Sequence, residues 1–381
     1  LDPILFTAFE PSGDDHASSV IAELRRRYPE LPIAAWGGPK MERAGATLVE
    51  RTGDEAVMGL PGLATIRAHR AMNKRIGAWI KGNRPALHVP VDSPAANFPI
   101  CRLAKRSGAK VVHLVAPQIW AWGGWRIRKL RRLTDHVLCL LPFEEEWFGS
   151  RQIHATFIGH PLFGESLDEG DLDRRAGELS DGSPRLALMP GSRPGEWAKN
   201  FPLLLAAFRD LRAREEGCVG VVAATTDEVA DRLRTMATEH GGWPDGLAMV
   251  AGDTDAVVRW CSLALVVSGT VTLQIARQRR PMVVFYRSNP LLYALLGRWL
   301  LSTEFLSLPN LLAGSEIVPE LVPHFEDHKP IVKAALELID HPALATQQSE
   351  ALDAVCAQFD GHHAPTAAAD AIEKLLGLTE A

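Results

Sequence analysis

RLALMPGSRPGEWAKNFPLLLAAFRDLRARE, residues 185–215, passes from a strand pattern through a Pro-Gly-Ser-Arg turn into a helical pattern. Leu186, Ala187 and Leu188 form a short apolar run. From 203 onward Leu204, Phe208 and Leu211 recur at the spacing of one helix face. Asn200 is placed to cap that helix, and Pro202 suits its first turn. A strand that feeds a helix through so short a turn belongs to a layered α/β protein. The turn itself suits an anion, since helix starts present free backbone N–H groups and Gly191, Ser192 and Arg193 sit there. These residues read equally well as a tight turn whose arginine pairs with a carboxylate.

The same alternation fills the chain. Strand patterns fall at 4–9, 33–37, 87–91, 110–116, 136–141 and 155–159, with helical stretches such as ASSVIAELRRRY between them. The segment 163–183, FGESLDEGDLDRRAGELSDGS, is polar, acidic and punctuated by Gly and Ser, which marks a linker. The pattern then restarts at 185–189, 217–224, 247–252, 263–269 and 281–287. The expected architecture is therefore α/β, with two doubly wound, Rossmann-like domains at 1–165 and 184–340. Ligands of such sheets bind beyond the strand carboxyl ends, and a cleft between the two domains is the expected site. The helical tail at 340–381 packs on its own half or crosses back to the first. Spacing leaves both open.

The bulk numbers agree. The chain has 381 residues, 46% hydrophobic and 23% charged, the balance of a water-soluble globular protein. A net charge of −5 speaks against general affinity for nucleic acid. The five cysteines form no C-x-x-C pair, and no signal-peptide pattern opens the sequence, so a cytoplasmic location is expected. The most apolar stretch, 291–312, is interrupted by Arg298, Glu304 and Pro309 and reads as a buried helix and loop, or as a surface that touches acyl chains.

Four further stretches carry polar chemistry. LVVSGTVTLQ (265–274) is a second strand-to-helix turn of small residues, Ser268, Gly269 and Thr270. Two such turns in one domain suit a nucleotide diphosphate, although neither is a P-loop and no G-x-G-x-x-G occurs. EPSGDDHAS (10–18) brings Glu10, Ser12, Asp14 and His16 to the end of the first strand pattern, where Ser12 or Asp14 can also simply cap a helix. VPVDSPAANF (89–98) puts Asp92 at a strand end, as a general base or as a cap. APQIWAWGGWRIRKLRR (116–132) has three tryptophans in six residues and then five cations in seven. Trp120, Trp122 and Arg126 there can stack on a sugar or meet an anionic head group, or form a solvated basic face. A second basic stretch, 67–84, lies in the same half and suggests a local anionic partner such as lipid phosphate. No metal-ligand spacing and no G-x-S-x-G elbow is found.

Taken in order, EPSGD (10–14), GGPKMERAG (37–45), AVMG (56–59), VDSPAANF (91–98), PQIWAW (117–122), LPFE (141–144), FIGHP (157–161), MPGSR (189–193), SGTVTLQ (268–274), PMVVFYR (281–287) and SLPNLLAG (307–314) resemble the lipid-A-disaccharide synthases, glycosyltransferases of GT-B fold. The resemblance implies an inverting transfer that joins UDP-2,3-diacylglucosamine to 2,3-diacylglucosamine 1-phosphate, giving UDP and a β-1,6 tetraacyl disaccharide 1-phosphate. It implies an acceptor-binding amino-terminal domain and a UDP-sugar-binding carboxyl-terminal one, with no cofactor and no metal. It also implies peripheral attachment to the inner membrane and a possible homodimer. Asp92 matches the family's aspartate base. Gly191, Ser192, Arg193, Ser268, Gly269, Thr270, Gln274 and Asn310 fall at donor positions. Glu10, Ser12, Asp14, His16, Trp120, Trp122 and Arg126 are the acceptor-side candidates.

The chain departs from the family pattern at Phe9 (usually glycine), Ala95 (a carboxylate), Leu114 (tyrosine), Gly123 (arginine) and Gln274 (the glutamate that holds the ribose). An amide in place of that carboxylate is expected to weaken donor binding by roughly 1–2 kcal/mol. Phe9 is expected to narrow the acceptor site. The departures keep alternatives open: a different acceptor, a UDP-sugar 2-epimerase, or a silent protein that binds nucleotide sugar or glycolipid.

Overall fold

Continuous apolar runs require that both faces of a strand be covered, and the two sheets meet that demand. The computed structural model describes residues 2–52, 63–164, 166–288, 290 and 303–378. The expected AVMG match at 56–59 and the apolar residues 291–302 lie outside the described residues. The chain divides into two compact units, Leu1–Gly164 with Gly361–Ala381, and Glu165–Asp360.

The first unit holds a parallel sheet of seven strands: β1 (Ile4–Thr7), β2 (Ile33–Gly37), β3 (Thr47–Arg51), β4 (Leu87–Pro90), β5 (Lys110–Leu114), β6 (His136–Cys139) and β7 (Ala155–Phe157). Its order is β3-β2-β1-β4-β5-β6-β7. Alternate residues of β1 enter opposite cores. Ile4 and Phe6 pack with Val20, Ile21 and Leu24, while Leu5 packs with Trp36, Phe98 and Ile100.

The second unit repeats the plan with six parallel strands: β8 (Arg185–Met189), β9 (Val219–Ala224), β10 (Leu247–Ala251), β11 (Leu263–Val267), β12 (Met282–Arg287) and β13 (Glu320–His324), in the order β10-β9-β8-β11-β12-β13. Leu186 and Leu188 join Phe201, Leu204, Phe208 and Leu211 on one face. Ala187 and Met189 join Val257, Val258 and Ile275 on the other. In each unit the order reverses between the first and fourth strands. That reversal opens a crevice at the carboxyl ends of β1 and β4, and of β8 and β11.

Two edge strands, β3 (TLVER) and β13 (ELVPH), were not expected from the sequence. Both are partly exposed and carry charged residues in place of an apolar run. The segment expected to be a linker contains a helix, Glu169–Gly177, capped by Asp168, with Leu172 and Ala176 buried. The tail divides. The helices Lys329–Asp340 and Pro342–Ala357 stay with the second unit, and Ala364–Leu376 joins the first. Ala364, Ala368, Ala369 and Ile372 pack into the core beside the helix Pro11–Arg27.

One guanidinium fastens that returning helix. Arg27 is buried and bonds Glu23 at 2.7 Å, Asp370 at 2.6 Å and Glu373 at 2.7 Å. Burial opposes the charge, but these three hydrogen bonds win and hold the Arg27 pKa above its usual value. Replacing Arg27 by alanine removes the cation that Glu373 and Asp370 share with Glu23, and Glu23 keeps Arg26. Urea unfolding of Arg27→Ala is expected to show a loss of about 3 kcal/mol in the transition of the first unit. An unchanged midpoint would mean that alanine packing alone holds the helix.

Candidate active site

The turn after β8 is built differently from its sequence reading. The helix runs Pro194–Arg214, so Arg193 is its N-cap and Pro194 takes the first-turn role expected of Pro202. Asn200 is no cap. It is buried within the helix, where its amide nitrogen donates to the Glu196 carbonyl at 2.8 Å and its oxygen accepts from Arg287 N at 2.9 Å, tying the helix to the end of β12. Glu196, three residues after the N-cap, folds back into the turn. One carboxylate oxygen accepts from Ser192 N (3.2 Å) and Arg193 N (3.3 Å), and the other from Arg193 Nη1 (3.0 Å). Gly191 has φ +101°, and a Cβ there would lie 2.8 Å from Glu196 Cβ. Glycine is therefore required for the carboxylate to sit this close. The Arg193 side chain stays half exposed. Tyr286, on β12, lies near this pair. Burial and then the Glu196 charge push its hydroxyl pKa up.

After β11, Gly269 and Thr270 are exposed and Ser268 is partly buried. Ser268 N donates to Phe285 O at 3.0 Å, and its hydroxyl to Leu306 O at 3.4 Å. Gln274 is half-buried on the following helix, Val271–Arg277. Asn310 is fully buried and its amide is saturated. The oxygen accepts from Ile317 N (2.8 Å) and Val318 N (2.9 Å), and the nitrogen donates to Val318 O and Glu320 Oε2, each at 3.0 Å. Glu320 in turn accepts from Leu306 N, Ser307 N and the Ser307 hydroxyl. Asn310 is thus linked through Glu320 to the loop 306–307, whose Leu306 carbonyl meets Ser268. Glu196, Tyr286 and Glu320 were missed by the sequence reading. Only Glu196 had a signal there, an acidic residue three places after a helix cap.

The first unit assembles the ends of β1 and β4. The Ser93 hydroxyl donates to Glu10 Oε1 at 2.6 Å, which brings Glu10 to the Asp92 turn. Asp92 (φ +46°) and Ser93 (φ +36°) both lie in the left-handed region, which costs a residue with a side chain free energy. Asp92 N donates to Leu114 O at 2.9 Å, extending the sheet past β4. Asp14 is withdrawn from the acceptor set. Its carboxylate accepts from Gly38 N (3.2 Å), Lys40 N (3.0 Å) and Met41 N (3.0 Å) and so caps the helix Pro39–Arg43. Ser12 is exposed on the first turn of its helix. Glu10 is the N-cap, with no side-chain cap bond. His16 meets His160 edge-on, with ring centroids 6.2 Å apart. Burial lowers the pKa of His16, and burial with the neighbouring His16 brings His160 down to about 4, so His160 is neutral at physiological pH.

The aromatic stretch splits. Trp120 is core: its indole N–H donates to Glu144 Oε1 at 2.8 Å and its ring packs edge-on against Phe143. Trp122 and Trp125 are 45% and 67% exposed, and the Arg126 guanidinium stacks 3.8 Å above the Trp122 ring. The departures from the family pattern also find places. Phe9 packs against the core that holds Trp36 and Phe98, Leu114 is buried at the end of β5, Ala95 is exposed, and Gly123 has φ +70°. Among the described residues no group of three His, Cys, Asp or Glu is placed to hold a metal ion.

Two measurements test this account. Asn310→Ala removes the partners of the Ile317 and Val318 N–H groups and of the Val318 carbonyl inside the protein, and is expected to cost about 3 kcal/mol in urea unfolding. A cost below 1 kcal/mol would return Asn310 to the surface. Burial pushes the Glu144 carboxyl up to about 7, against an ordinary 4.5. The folded protein then holds a proton that the unfolded chain releases between those values, so stability falls as pH rises through that window. The stability of wild type relative to Glu144→Gln is expected to be greater at pH 5 than at pH 8. An equal difference at both would show that Glu144 is already ionised at pH 5.

Comparison with known proteins places the family and the fold. The family model described as Lipid-A-disaccharide synthetase matches residues 4–369. Lipid-A-disaccharide synthase of Azotobacter vinelandii is 33% identical over 359 residues, covering 92% of each chain. That of an Anaeromyxobacter species is 35% identical over 382 residues, covering 99% of this chain and 97% of its own. Among solved structures, a putative UDP-N-acetylglucosamine 2-epimerase from Listeria monocytogenes superposes with TM-score 0.68 at 12% identity, over 99% of this chain and 97% of that one. The glycotransferase of kitacinnamycin superposes with TM-score 0.62 at 17% identity, over 98% and 99%. These two likenesses establish the GT-B fold alone, whereas the full-length sequence matches carry the family: the chain belongs to the lipid-A-disaccharide synthases.

Proposed function

We propose that this glycosyltransferase of lipid A synthesis joins UDP-2,3-diacylglucosamine to 2,3-diacylglucosamine 1-phosphate, with inversion at the anomeric carbon. The acceptor 6-hydroxyl attacks C1 of the donor sugar, the bond from C1 to the diphosphate oxygen breaks, and Asp92 takes the hydroxyl proton. The products are UDP and the β-1,6 tetraacyl disaccharide 1-phosphate. The observation that carries the reading is the position of the sequence-selected turns. Asp92 and Glu10 stand at the strand-order reversal of the first unit. The 191–193 and 268–270 turns stand at that of the second. In this proposal Arg193 and the backbone N–H groups of Gly269 and Thr270 stabilise the charge that grows on the departing diphosphate, with no metal. Gln274 hydrogen-bonds the ribose without charge.

No described helix is long and apolar enough to cross a membrane. The exposed Trp122 and Trp125, followed by Arg126, Arg128, Arg131 and Arg132, support peripheral contact with an anionic bilayer such as the inner membrane. The homodimer implied by the sequence belongs to the same proposal, and light scattering reads it directly.

The test incubates both sugars with the protein in mild detergent and EDTA, following UDP and disaccharide by mass spectrometry. Disaccharide is expected at the same rate with and without EDTA. Asp92→Asn is expected to lower kcat by roughly 100-fold or more, and Arg193→Ala by roughly 100-fold. UDP binding without disaccharide would favour a different acceptor or a silent binding protein. A rate that collapses in EDTA would remove the metal-free step.

A further inference from the structure

The strained turn that carries Asp92 rests on three buried side chains that the reaction does not touch. Thr7 on β1, His88 on β4 and Asn97 on the helix Pro94–Arg106 are all fully buried. The Asn97 amide nitrogen donates to the Val91 carbonyl at 3.1 Å and to the Asp92 carbonyl at 3.0 Å. Two acceptors on that side fix which way the amide faces, so its oxygen receives the Thr7 hydroxyl at 2.6 Å. With its proton committed, Thr7 Oγ1 accepts from His88 Nε2 at 2.8 Å. His88 is thereby the neutral tautomer protonated on Nε2. Burial, and then His113 beside it, holds its pKa down at about 3, so the chain keeps one proton pattern across the working pH range.

This chain of bonds links the two strands between which the sheet order reverses, β1 and β4, to the helix that follows Asp92. Its last two bonds grip the peptide carbonyls on either side of the Asp92 Cα. Asp92 and Ser93 occupy left-handed backbone conformations that a residue with a side chain leaves when nothing holds it. We infer that Asn97, oriented by Thr7 and His88, is a positioning residue that fixes where the Asp92 carboxylate points during transfer. The inference rests on Asp92 being the base.

Thr7→Val keeps the shape and removes the hydroxyl, so the Asn97 oxygen loses its donor and the amide is held from its nitrogen side alone. Thr7→Ser keeps the hydroxyl. Turnover is measured for both, and for Thr7→Val in an Asp92→Asn background, and is expressed per UDP-binding site so that loss of folded protein does not register. Thr7→Ala replaces the valine variant if that does not fold. Thr7→Val is expected to lower kcat roughly 10- to 100-fold, as displacement of a reacting group does. KM for both sugars stays unchanged, Thr7→Ser restores kcat, and no further loss appears once Asp92 is asparagine. Wild-type kcat in Thr7→Val, with Asp92→Asn inactive, would overturn the positioning role and leave the base in place. Equal losses in both backgrounds would reduce the chain to a structural one and overturn it too. Full activity in Asp92→Asn would remove the base and the inference with it.

Discussion

A parallel sheet buried on both faces leaves few places for polar chemistry. Side chains along the strands point into apolar cores, so working groups gather where strands end. In both units the order reverses between the first and fourth strands, and the connecting chains leave in opposite directions there. The loops beyond β1 and β4, and beyond β8 and β11, are thereby freed from packing against each other. Glu10, Asp92 and Ser93 occupy one such place, and Gly191 to Arg193 and Ser268 to Thr270 the other. The site positions follow from strand order before any side chain is considered.

Those loops are then held by buried polar groups bonded to the protein's own backbone and side chains. Asp14 takes three backbone hydrogens, Asn310 with Glu320 ties the 306–307 loop, and Glu144 receives Trp120 and Leu141 N. A buried amide or carboxylate with every bond made is worth more in holding shape than its modest net contribution to stability suggests, because breaking one partner leaves the other unpaired.

The sequence carried the fold well because the core strands hold unbroken apolar runs, as LALM (186–189) and LALVV (263–267) do. It missed β3 and β13 because charged residues, and in β13 a proline, break their apolar runs, which an edge position permits. It picked out the turns that follow β8 and β11 because glycine and serine after an apolar run are local signals. It did not show the burial of Asn310, Asp14 and Trp120 because their partners, such as Val318, Lys40 and Glu144, are brought in by tertiary contact, and a polar residue in a motif looks the same whether it faces solvent or core. The helix start at Pro194 lay in plain sight as a proline at the first position and a glutamate at the third. It lost to Asn200 and Pro202, which carry the same signals one motif later.

Glu196 gives the donor turn its particular electrostatics. Its carboxylate already receives Ser192 N and Arg193 N, the backbone groups that would otherwise meet a phosphate. A second anion brought to about 4 Å of it would be repelled by roughly 4 kcal/mol at the effective dielectric of a protein surface. Arg193 resolves the conflict in the proposed mechanism. One of its nitrogens is held by Glu196 at 3.0 Å, so the guanidinium is aimed before the donor arrives, and its half-exposed remaining edge offers donors to the diphosphate. The direct backbone contribution then falls to the second turn, where Gly269 and Thr270 are exposed. On this account the two turns divide the work. The first supplies an oriented cation whose charge is half spent within the protein, and the second supplies neutral donors. That division lets a UDP leave without the pocket closing on it as a permanent salt.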